Sequence, residues 1–90
     1  MFYSDTATAP LSGLKPGEKG IVQAVSLALP GHERRRVMDL GIVPGTEIEA
    51  VMRSAGGDPT AYRVRGTLIA LRQEQSQWIL VSRDSREVAL

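Results

Sequence analysis

The chain has 90 residues, enough for one domain with one small core, so a deep substrate cavity would compete with that core for the same apolar side chains. It has no cysteine, which excludes a disulfide framework, a thiolate nucleophile and a cysteine-based zinc or iron-sulfur site, and fits a reducing compartment. Eleven Lys and Arg against ten Asp and Glu leave a net charge of +1, far from the basic balance expected where phosphate neutralisation supplies affinity, so nucleic acid is not favoured as a partner.

The first segment, MFYSDTATAP, lacks the basic and continuous apolar regions of a signal peptide, and no later run approaches the roughly 20 apolar residues of a membrane span. A cytoplasmic location without membrane insertion is the expectation. Apart from Phe2 and Tyr3 the segment is small and polar and reads as a flexible leader; the alternative is that Phe2 and Tyr3 cover part of the domain or a neighbouring copy.

Lys15-Pro16-Gly17-Glu18 has the chemistry of a type II turn, with Pro presetting φ at the second position and Gly supplying positive φ at the third. A strand is predicted over Lys19 to Val25. The chain then breaks at Pro30-Gly31 and a short helix follows, His32 to Leu40, with Val37 and Leu40 three apart on one face and Gly41 as the residue that ends it. From Thr46 the period becomes two, placing Ile48, Ala50 and Met52 on one face and Glu47, Glu49, Val51 and Arg53 on the other.

SAGGDPTA is a loop dense in Gly, Asp and Pro. YRVRG then alternates Tyr62 and Val64 with Arg63 and Arg65, and Gly66 marks a hairpin or a bulge. TLIALR is apolar on both faces, which predicts the most central strand of the sheet. QEQSQ is a short polar turn or a single helical turn. WILV closes the set, with Ile79 and Val81 on one face and Trp78 and Leu80 on the other. Short strands, tight turns and one brief helix predict a mainly β fold, a small SH3-like β-barrel with one short α-helix inserted between the first strands.

No catalytic residues emerge. His32 is the only histidine, no carboxylate cluster with ligand spacing accompanies it, and neither glycine-rich phosphate loop is present. The expectation is therefore a protein that is not an enzyme and has neither cofactor nor metal site. A low-affinity ferrous-iron carrier would need oxygen ligands that the spacing does not provide.

What remains is surface. Arg34, Arg35 and Arg36 fall within one helical turn, so they fan around the axis. They are either solvated, with one paired to Glu33 or Asp39, or an acidic partner's docking surface, for which guanidinium groups suit bidentate carboxylate contacts. Arg63, Arg65 and Arg72 enlarge that patch only if the strands fold back towards the helix. Trp78, the only tryptophan, contacts either the domain's own helix or leader, or a partner. Leu27 and Leu29, in the loop before Pro30, have no obvious core role and with Trp78 would form a docking patch.

Three stretches, PLSGLKPGEKGIVQAV, RRRVMDLGIVPGTEIEAV and GDPTAYRVRGTLIALRQEQSQWILV, resemble the FeoA family in order and spacing, from about Pro10 to Ser82. The SH3-like carboxy-terminal domain of DtxR-type metal-dependent repressors is a more distant relative. Carried over by motif, Arg36, Leu40, Gly41, Pro44 and Gly45 match the helix-and-turn signature, and Gly57, Asp58, Pro59, Gly66, Leu71 and Arg72 match the later one. Val37 stands where the family often has Leu, and Ser76 where it often has Ala. The resemblance divides the chain into a leader at 1–9, an SH3-like barrel at 10–82 and a tail at 83–90. It implies a cytosolic accessory protein of bacterial ferrous-iron uptake whose partner is the GTP-hydrolysing cytosolic part of the membrane transporter FeoB. A weak homo-oligomer stays open. The alternative reading is an SH3-like module that binds nucleic acid or assists a metal-dependent regulator.

Overall fold

The computed structural model describes residues 8–83; Phe2 and Tyr3, and the tail beyond Arg83, lie outside the described residues. The chain runs β1 (Thr8–Pro10), a 3-10 turn (Leu11–Gly13), β2 (Lys19–Val25), α1 (Gly31–Asp39), β3 (Glu47–Arg53), β4 (Thr60–Val64), β5 (Thr67–Leu71), α2 (Gln73–Ser76) and β6 (Ile79–Arg83). Thr8 and Ala9 thus belong to the sheet, pairing with Ser82 and Val81, where the leader was expected to run to residue 9. Arg83 likewise ends β6 and does not open the tail.

One antiparallel sheet of six strands has the order β1-β6-β2-β3-β4-β5. It is a small SH3-like β fold whose end strands, β1 and β5, do not pair with each other. The alternation in the sequence becomes its inner face: Val22 from β2, Ile48 and Ala50 from β3, Tyr62 and Val64 from β4, and Ile79 and Val81 from β6 are all buried, with Leu11, Leu14 and Ile42 closing the core from the connections.

The local chemistry at the turns is as the residue types demand. Glu18 N–H donates to the Lys15 carbonyl at 2.9 Å across a turn whose Gly17 has φ +95°, and Gly17 N–H reaches the Ala50 carbonyl at 2.7 Å, docking the turn on β3. After α1, Gly41 adopts φ +101° and its N–H donates to the Met38 carbonyl at 2.9 Å, ending the helix. The chain then crosses β2: Gly45 N–H donates to the Val22 carbonyl and Val22 N–H to the Thr46 carbonyl, both at 2.8 Å. This crossing seats Ile42 in the core and starts β3 in register.

Three expectations about position fail. Met52 does not continue the inner face; the β3–β4 register shifts between Ala50 and Met52, and Met52 is 61% exposed. Leu40 is exposed although it shares a helical face with Val37, because α1 contributes Val37 alone to the core. TLIAL is not the most central strand. It is β5, the end strand of the sheet, paired only with β4, and Leu68 is 54% exposed. Its two-sided apolar character reflects an inner face, Ile69 and Leu71, and an outer face, Leu68 and Ala70, that no other described element covers.

Candidate functional site

α1 stands at the edge of the fold and turns three arginines away from the core. The Arg34 guanidinium is tied back, with Nη1 donating to the Leu29 carbonyl at 2.9 Å, so it braces the loop before the helix and is less free than the sequence suggested. Arg35 and Arg36 are exposed, and among the described residues neither forms an ion pair with a carboxylate. Glu33 sits instead 3.8 Å from the exposed His32 ring. The outward side of the helix is a shallow depression bordered by His32, Arg34, Arg35, Met38 and Asp39, in which Met38 is the apolar side chain.

The loop residues separate. Leu29 is 1% exposed and belongs to the core, a correction to its expected place in a docking patch. The reason is local: Leu29 N–H donates to the Ser26 carbonyl at 3.2 Å, and this turn folds the side chain inward just before Pro30. Leu27 is 82% exposed. Ser26 N–H donates to the Trp78 carbonyl at 2.8 Å, so the loop carrying Leu27 is stapled beside Trp78, itself 37% exposed. The structure therefore holds the loop that carries Leu27 to the backbone of Trp78 and removes Leu29 from the expected patch.

Of the more distant arginines, Arg63 is occupied. Its Nη1 lies 3.1 Å from Glu49 Oε1 across the β3–β4 pair. Arg65 and Arg72 do fold back to the helix side. The aliphatic part of Arg65 lies over Gly41, where a Cβ would be 3.4 Å from Arg65 Cδ, placing the side chain at the C-terminal end of α1. Arg72 shares a groove of about 530 Å³ with Arg36, Leu40, Ala70, Glu33 and Glu74, running between α1 and the outer edge of β5. That groove was not foreseen. The signal was present in the arginines that flank TLIAL, but only the strand order shows that this segment is an edge.

The later signature residues hold geometry. The Asp58 carboxylate Oδ1 accepts the Gln73 N–H at 2.9 Å, capping α2 from a distance in sequence, and Ser54 N–H donates to the Pro59 carbonyl at 3.0 Å to close the loop. Arg65, with φ +52°, and Gly66, with φ +82°, are the two central residues of the β4–β5 hairpin, a type I′ pattern. Among the described residues no group of three His, Asp or Glu side chains is placed to hold a metal ion, and no helix is long and apolar enough to cross a membrane.

Comparison with known proteins places these features. The FeoA domain model matches residues 9–83. A FeoA-like protein from Clostridium acetobutylicum is 34% identical, with a TM-score of 0.78 over 88% of this chain and 90% of that one. FeoA from Stenotrophomonas maltophilia, solved with zinc and described as an SH3 domain protein proposed to activate ferrous iron transport, is 31% identical, with a TM-score of 0.73 over 81% of this chain and 88% of that one. A manganese-dependent transcriptional repressor shares the fold alone, at 17% identity and a TM-score of 0.77 over 87% of this chain and 42% of its own. No curated protein matches. The family model across nearly all of the described chain, and two solved relatives above 30% identity, agree with the SH3-like sheet and its signature turns: the chain belongs to the FeoA family, which is related to ferrous iron transport.

Proposed function

We propose that this chain is a non-enzymatic, cytosolic accessory protein of bacterial ferrous iron uptake that binds the GTP-hydrolysing cytosolic region of the FeoB transporter and modulates it. Family membership supplies the context, and one structural observation carries the docking reading: α1 buries a single residue, Val37, and presents Arg35 and Met38 outward with no carboxylate paired to Arg35 among the described residues. A helix held this lightly has surface to offer, and a guanidinium beside a methionine suits an acidic, partly apolar partner face. The Leu27–Trp78 patch is a second apolar anchor on the same reading.

The mechanism is differential affinity. A small domain that binds one nucleotide state of a GTPase more tightly than another shifts the partner's population towards that state, without chemistry of its own. The test is a pull-down of the transporter's cytosolic domain in its GTP-, GDP- and nucleotide-free states, with the unaltered chain and with Arg35→Glu and Trp78→Ala. Binding in at least one state, weakened by both substitutions in a chain that still folds, supports the proposal. Absence of binding in every state refutes it.

A further inference from the structure

The β4–β5 hairpin determines which backbone groups of β5 are used. In a two-residue type I′ turn the flanking residues, here Val64 and Thr67, form a hydrogen-bonded pair, and hydrogen-bonded pairs then alternate along the ladder. Thr67, Ile69 and Leu71 therefore bond to β4 through their backbones. Leu68 and Ala70, opposite Arg63 and Ala61, point their N–H and C=O groups away from β4. Among the described residues no strand lies on that side, and no other backbone or side-chain group hydrogen-bonds to Leu68 or Ala70. The result is four backbone groups on two residues about 7 Å apart along the free edge of β5, with Ala70 at the wall of the groove that α1 closes on its far side.

We propose that this edge is a second interaction surface, separate from the outer face of α1, that takes an extended, acidic-flanked segment of a partner protein as an added strand. The backbone groups of Leu68 and Ala70 supply the pairing, and Leu40, which lines the groove, and Leu68, exposed on β5 itself, supply apolar contact for the incoming strand. Charge selects the partner. Arg65 precedes β5, beyond the groove lining and over Gly41; Arg72 follows β5 and Arg36 faces it from α1, sharing the groove walls with Glu33 and Glu74, and none of the three arginines is ion-paired among the described residues. A carboxylate at either end of the added strand meets an unpaired guanidinium.

The same charges disfavour a second copy of this chain. Antiparallel pairing of two β5 strands would set Arg65 of each beside Arg72 of the other at both ends, and parallel pairing would set like beside like; both juxtapose guanidinium groups. This inference does not depend on the identity of the transporter partner, and its test contains no transporter.

The experiment follows amide resonances and hydrogen exchange of the full chain, labelled with nitrogen-15, on titration with the blocked heptapeptide acetyl-Glu-Val-Thr-Val-Thr-Val-Asp-amide and with its counterpart bearing Lys at both acidic positions. The expected result is that Leu68 and Ala70 amides exchange rapidly in the free chain and shift and become protected with the acidic peptide, while Thr67, Ile69 and Leu71 are protected throughout. The lysine peptide is expected to bind at least about tenfold more weakly. Ala70→Pro, which removes an outward N–H and is tolerated on an edge, abolishes binding with melting temperature retained. Should Ala70→Pro unfold the chain, Arg36→Glu with Arg72→Glu provides the second check, and is expected to reverse the preference between the peptides. Shifts confined to other residues, equal binding of the two peptides, protection of Leu68 and Ala70 already present in the free monomer, or protection that grows with protein concentration alongside a dimer in sedimentation would each overturn it.

Discussion

β3 and β5 differ in composition and in circumstance. Both are short, but EIEAVMR carries two Glu and one Arg where TLIAL carries no charge, and β3 lies between β2 and β4 whereas β5 pairs on one side only. In β3 Ile48 and Ala50 are wholly buried, while in β5 only Leu71 is buried and Leu68 stands in solvent. The difference teaches that apolar content does not fix a strand's place in the sheet: β5 is apolar on both faces although only its inner face is covered. An edge strand can look like a central one.

The contrast can be broken most forcefully at the central strand. Ile48→Ala is expected to cost about 2–5 kcal/mol, since a wholly buried aliphatic side chain leaves a cavity in a core this small, whereas Leu68→Ala is expected to stay within about 0.5 kcal/mol; urea midpoints of the two variants measure the gap. Equal losses would mean that β5 is covered in solution.

The crossing of strands on the central side gives the next effect. A Cβ at Gly20 would come 3.0 Å from the Ser82 carbonyl oxygen and 3.2 Å from Val81, so Gly20→Ala is expected to cost about 1–3 kcal/mol, read from thermal melts. Gly41→Val tests the other end of the junction. With φ +101° the left-handed backbone strain alone is expected to cost about 1–2 kcal/mol, and stability should fall before partner recognition does. A Gly41→Val chain of unaltered stability that no longer binds would reverse that order.

On the edge side the expected losses are smaller. Asp58→Ala removes the acceptor for Gln73 N–H where β5 passes into α2 and is expected to cost about 1 kcal/mol, with faster amide exchange at Gln73 as the local signature. Met52→Lys, at a site that the alternation assigns to the core and the register shift moves outside, is expected to change stability by no more than about 0.5 kcal/mol; a loss of several times that would restore Met52 to the inner face.

Much of the fold was legible because its causes are local. Pro16-Gly17 specifies a turn, Pro30-Gly31 and Gly41 bracket the helix, and the period of two in β2, β3, β4 and β6 separates Val22, Ile48, Tyr62 and Val81 from their outward neighbours. The candidate site was legible in part. Arg35 and Leu27 are exposed and Trp78 is partly so, but Arg34 is held by the Leu29 carbonyl and Leu29 itself is core. Nothing in residue type distinguishes Leu27 from Leu29; a single hydrogen-bonded turn at Ser26 does.

By itself, then, the sequence determined the order of elements, the turn chemistry, most of the inner face and the family signature, all of which depend on neighbours a few residues apart. Only the tertiary structure decided that TLIAL is an edge, that Met52 leaves the core and that Arg36 and Arg72 share one groove. Each depends on which distant strand lies alongside, and strand pairing is settled by the balance of burial and loop closure over the whole chain, a quantity that no local period contains.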